Sequence, residues 1–188
     1  MLKRGFLVLM LAFGLAACDD DSPTAPGDPN LAVFTAQLSA LNEVGGGTPV
    51  TTNTETTARG DVRIEFRLTR DSGNSVTGAT TTFIVNLTGF PAGSSWILAH
   101  IHEDPSGVAG PVRVNTGLSQ ATAIPLVNGG ITGQRFENIT VTDVGGGRPS
   151  TAIRTINEIL NNPSGWYFNA HTVLNPSGAV RGQLVRIQ

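Results

Sequence analysis

The residues best suited to chemistry are the histidines, and the chain has only three. His100 and His102 lie in Trp96-Ile-Leu-Ala-His-Ile-His-Glu-Asp-Pro105, and His171 lies in Asn169-Ala-His-Thr172, both strand-like and apolar. On a strand, residues i and i+2 share a face, so His100 and His102 project together while Ile97, Ala99 and Ile101 point the other way. A later strand carrying His171 can pair beside them and bring three imidazoles into one neighbourhood. Two outcomes are then open. In one, the three nitrogens hold copper or zinc, with a fourth position open or filled by Glu103, Asp104 or water. In the other, each ring donates to a backbone carbonyl or to a polar neighbour such as Asn169, Thr172, Asn175 or Gln183, and the network fixes strand register without a ligand. The second is the plainer account, because no acidic group behind the imidazoles is evident.

No other arrangement points to catalysis. Nucleophile elbows, phosphate-cradling loops and dinucleotide fingerprints are absent, and the glycine runs at 45 and 145 lack strand and helix flanks. A non-enzymatic protein is expected.

The elements that would position the histidines read as an all-β domain. Residues 31–38 alternate, with Phe34, Ala36 and Leu38 on one face. Residues 60–68 give the clearest strand, with Val62, Ile64, Phe66 and Leu68 facing a core and Arg63, Glu65 and Arg67 facing water. Asp71-Ser-Gly-Asn74 is a turn, and strands are expected at 80–87, 111–115, 123–127, 131–136 and 138–142. Pro125 puts its segment at an edge. One helix is expected from about Thr151 to Leu160, with Ile153, Ile156, Ile159 and Leu160 as its buried stripe and Ser150 or Thr151 as its cap. Two closing strands flank Asn175-Pro-Ser-Gly178. The fold expected is an antiparallel, Greek-key-like β-sandwich with one inserted α-helix.

Composition supports this: 188 residues with 23 Gly, 11 Pro and 6% aromatics favour short strands joined by turns. The formal charge of −2 and the lack of a basic block argue against a nucleic-acid partner. Residues 1–17 read as a lipoprotein signal peptide, with Lys3 and Arg4 ahead of an apolar run from Gly5 to Leu15. Leu15-Ala-Ala-Cys18 resembles the lipobox of bacterial lipoproteins, and Cys18 is the only cysteine. Lipidation of Cys18 is expected, with residues 18–30 a solvated tether and residues 31–188 the domain. Two of the 12 basic residues leave with the leader, so against 14 acidic ones the formal charge moves from −2 to −4, and membrane attachment would come from the acyl chains. The expected location is the bacterial cell envelope, on the periplasmic side or at the cell surface.

Three segments carry a resemblance to the CHRD domain, a module named from chordin and found singly in bacterial secreted proteins. Phe34-Thr-Ala-Gln-Leu-Ser-Ala-Leu-Asn-Glu-Val44 resembles its opening, residues 99–112 its histidine segment, and residues 166–184 its closing segment. Gly45 to Gly47 replace prolines usual after Asn-Glu-Val, Ser177 stands for a usual Gly and Ala179 for a usual Glu. The resemblance implies a binding or structural module of the envelope with an unknown protein or envelope ligand, and brings no established chemistry. The His-x-His pair is also similar to that of copper–zinc superoxide dismutases, but three histidines and one cysteine are too few for that chemistry. The resemblance places Arg181 beside the histidine strand, which favours a guanidinium fork tied to carbonyls or a carboxylate there over a surface cation. Asn169 joins the same segment, and Glu43, with Asn42, is expected to organise a loop turn.

Overall fold

The computed structural model describes residues 27–44, 55–141 and 152–188. The leader, Cys18, the glycine runs at 45 and 145 and the helix-capping pair 150–151 lie outside those residues. The chain forms β1 (Leu31–Ser39), β2 (Arg59–Arg70), β3 (Val76–Thr88), β4 (Ser95–Glu103), β5 (Val112–Asn115), β6 (Ile124–Pro125) and β7 (Ile131–Thr140). These are followed by α1 (Ala152–Asn161), β8 (Trp166–Thr172), β9 (Val180–Gln183) and β10 (Val185–Arg186).

The architecture is all-β and antiparallel, with one helix. A single sheet runs β5-β4-β8-β9-β1-β2-β3-β7, with β10 paired to β1 and β6 to β4. It folds over on itself into a nearly closed, barrel-like shape, so the layers facing each other across the core belong to one sheet. Phe83 of β3 meets Phe168 of β8 with ring centroids 5.9 Å apart, and Trp96 of β4 meets Phe136 of β7 at 5.5 Å. β1, β2 and β3 form a meander; the chain then crosses to the far half, where β8 inserts between β4 and β9.

Local chemistry explains the meander. Val62, Ile64, Phe66 and Leu68 are buried while Arg63 and Arg67 are exposed, the alternation expected of a strand with one wet face. The β2–β3 turn is closed by Asp71, whose Oδ1 accepts from the backbone N–H groups of Gly73 and Ser75 at 2.9 Å each. The end of the expected tether already belongs to the fold, because the Leu68 N–H donates to Asn30 O at 2.7 Å.

Three expectations are corrected. Ile97 is buried but does not pack in the cluster that holds Ala99 and Ile101: the β4–β8 register slips between Trp96 and Leu98, and Trp96 takes the inward place. The separate strands expected at 131–136 and 138–142 are, through Thr140, one strand, interrupted by an extra residue opposite Thr81–Phe83, with Asn138 at φ +55°. In α1, Ile156 and Ile159 are buried as expected, but Ile153 is exposed and Thr155 is buried in its place.

Candidate metal centre

Register brings the two histidine segments together. β4 and β8 pair so that His102 faces Tyr167, His100 faces Asn169 and Leu98 faces His171; β8 and β9 pair Tyr167 with Gln183 and Asn169 with Arg181. Period two then divides each strand. Ala99, Ile101, Phe168, Ala170 and Val180 face the core, and His100, His102, Tyr167, Asn169, His171 and Arg181 share the other face. That face is polar, yet its side chains are buried.

The three imidazoles converge. Each offers one nitrogen, and these three nitrogens lie within 4.8 Å of one another. His100 Nδ1 is 3.3 Å from His171 Nε2, close to the ~3.3 Å between two nitrogens bound tetrahedrally to one ion at ~2.05 Å. A pair at the 4.8 Å limit must close by ~1.5 Å to share that ion in the same geometry.

Backbone carbonyls fix the tautomers. His102 Nδ1 lies 2.9 Å from Gly110 O and His171 Nδ1 lies 3.0 Å from Pro176 O. A carbonyl can only accept, so both Nδ1 atoms carry hydrogen and both Nε2 atoms present lone pairs. His100 Nδ1 can satisfy His171 Nε2, but His102 Nε2 is buried without a hydrogen-bond partner. The polar neighbours Asn169, Thr172, Asn175 and Gln183 are engaged elsewhere, so the expected side-chain network around the rings is replaced by two carbonyls.

Burial keeps the rings neutral. It lowers His100 to about 3, helped by the neighbouring His171 and His102, and lowers His102 to about 4 against the opposing Gly110 hydrogen bond. His171 is lowered for the same reason, against the bond to Pro176. Neutral imidazole is the ligand form.

Around the rings the remaining residues set orientation. Tyr167 stacks on His102, with centroids 4.8 Å apart and planes 8° from parallel, and the Arg181 guanidinium carbon lies 3.4 Å from the Tyr167 centroid. Arg181 also donates to Val108 O at 2.8 Å and Pro105 O at 2.9 Å, so its fork ties β9 to the loop after the histidine strand. Glu43 is buried against Asn169, whose Nδ2 lies 3.4 Å from Glu43 Oε2. Burial pushes the Glu43 carboxyl up to about 7, partly offset by Arg181 and Asn169. Neither proposed acidic fourth ligand joins the histidines: Glu103 is paired with buried Arg113 at 2.9 Å, and Asp104 is absent from the ligand group.

Three participants escape a reading of the sequence. Tyr167 was accessible in principle, since it lies two and four residues before Asn169 and His171 on the same face. Gly110 lies in the loop, where its N–H donates to Tyr167 Oη at 3.0 Å and its carbonyl accepts from His102. A Cβ there would sit 1.5 Å from Glu103 O, so only glycine fits. Glu55 lies in a threonine-rich run with no signal at all. It is fully buried and accepts from Ser94 Oγ, Thr172 Oγ1 and Asn175 Nδ2, pinning the turn that carries Pro176.

A family model for the CHRD domain matches residues 34–184, a span that includes Glu43, all three histidines and Arg181. The chain belongs to the CHRD domain family. No curated protein and no solved structure matches it. The CHRD domain is not a known enzyme family, and the centre is a set of ligand-type side chains on β4 and β8 whose rings are oriented by loop carbonyls.

Proposed function

We propose that this chain is a non-enzymatic, lipid-anchored protein of the bacterial cell envelope whose CHRD domain binds one copper or zinc ion through His100, His102 and His171. The observation that carries the metal reading is the buried, unpartnered His102 Nε2 beside two other imidazole nitrogens. A buried acceptor without a donor costs about 1–3 kcal/mol, and an ion shared by the three rings removes that cost. The Nδ1 contacts to Gly110 O and Pro176 O are the outer-shell bonds that orient ligating histidines and raise their basicity. A purely structural network accounts for those two contacts and leaves His102 Nε2 unexplained.

The anchor is supported by the sequence of residues 1–18 alone. Substitution Cys18→Ala is expected to release the protein from the membrane fraction; retention there overturns the anchor without touching the metal reading.

Metal binding is tested by calorimetric titration of the full chain in detergent and by elemental analysis after export. One ion per chain with sub-micromolar affinity is expected, and His102→Ala should weaken it at least 100-fold. No heat at micromolar copper or zinc ends this reading and leaves the protein a binding or structural module with another ligand.

A further inference from the structure

We propose that the centre selects a monovalent ion, Cu(I), over Zn(II) and Cu(II); this rests on His100, His102 and His171 being the ligands. Charge is the reason. Among the described residues the ligand group consists of these histidines alone, so every donor is uncharged and the bound ion keeps its full charge. The ligands are buried, with 6%, 8% and 5% of their surface exposed. The cost of moving an ion out of water rises with the square of its charge, so a divalent ion costs about four times as much as a monovalent one.

Among the described residues no carboxylate joins the ligand group to offset the second charge. The Arg181 guanidinium is itself buried and lies 3.4 Å from the centroid of Tyr167, the ring stacked on His102. It therefore adds positive potential on the ligand side. The carboxyl groups of this half are directed at other partners: Glu43 accepts from Asn169 and, with Asp104, faces Arg181, Glu103 pairs with Arg113, and Glu55 accepts from Ser94, Thr172 and Asn175. Coordination number points the same way. Three imidazoles complete a trigonal Cu(I) site, whereas Zn(II) takes a fourth ligand, which here would have to enter a covered layer. Ligand softness makes no contribution, because the group holds no sulfur.

The test is competition on the full chain in detergent: Cu(I) against bicinchoninate without oxygen, and Zn(II) and Cu(II) against chromogenic chelators of known affinity. Cu(I) is expected to bind at least 1000-fold more tightly than Zn(II), and copper added as Cu(II) with ascorbate should end as a bound species silent in electron paramagnetic resonance. If Zn(II) or Cu(II) binds as tightly as Cu(I), and His102→Ala abolishes that binding, the selectivity is wrong and the ligand set stands. If no ion binds, or binding survives His102→Ala, the ligand set itself is wrong.

Discussion

The two halves of the sheet solve opposite problems. In the meander, β2 buries Phe66 and its apolar neighbours and leaves Arg63 and Arg67 in water. Across the fold, every residue of β8 from Trp166 to Thr172 is buried, and its outward face is Tyr167, Asn169 and His171. The meander is therefore held by transfer of apolar surface, and its outer residues face water. The β4–β8–β9 half has to satisfy a buried polar layer, and it does so with loop carbonyls and two buried carboxyl groups, Glu43 and Glu55.

The contrast can be broken at several points. Phe66→Ala empties the meander's core and should cost about 3–5 kcal/mol in urea unfolding. Ion affinity of the molecules that remain folded should be unchanged; a parallel loss of affinity would show the halves to be coupled. Glu55→Ala, in the other half, leaves the Thr172 and Asn175 donors without their acceptor and should cost about 3 kcal/mol. It should also lower ion affinity, because the turn presenting Pro176 O to His171 loosens; unchanged affinity would confine Glu55 to stability.

Proton linkage separates the halves without a mutation. His100 and His102 drop from 6.5 to about 3 and about 4 on folding, so the unfolded metal-free chain takes up protons first as pH falls. Their stability is complete above pH 6.5 and is lost as pH drops toward 4. Glu43, raised from 4.5 to about 7, runs the other way: its contribution is complete below pH 4.5 and is lost as pH rises through 7. Between those limits the histidines, His171 among them, outnumber the one carboxyl, so net stability should fall from pH 6.5 to 5 by roughly 2 kcal/mol. A flat profile would mean that the rings take up protons in the fold as readily as in the unfolded chain. The smallest effect belongs to the exposed Arg63–Glu65 pair at 2.8 Å, where Arg63→Ala should change stability by less than about 0.5 kcal/mol.

What the sequence made legible follows the same division. β2 could be read from alternation alone, because one of its faces meets water. The sharing of a face by His100 and His102 also followed from period two, whereas the pairing of their strand with that of His171 was open in the sequence and comes from the register of β4 on β8. Ile97 was misplaced because a register slip reverses the phase of a strand and leaves no residue signature of its own. The burial of the histidine face was hidden because it is imposed by distant chain: residues 105–110 fold back over Tyr167 and Arg181, and Glu55 reaches the 172–175 turn from far upstream. The two carbonyls that orient the rings carry no side-chain chemistry, so no residue type announces them.

Gly110 links two things that are usually separate. One peptide unit's neighbours hold the His102 ring through a carbonyl and the Tyr167 hydroxyl through an amide, on a backbone too close to Glu103 O to admit a methyl group. Any excursion of that loop would untether both aromatic rings at once, so under the proposed ion binding, admission of an ion and release of its ligand's orientation would become a single kinetic event. The rate at which bound ion exchanges would then track deuterium uptake at the Gly110 amide, and would be set by the loop's opening frequency more than by the strength of any nitrogen–ion bond.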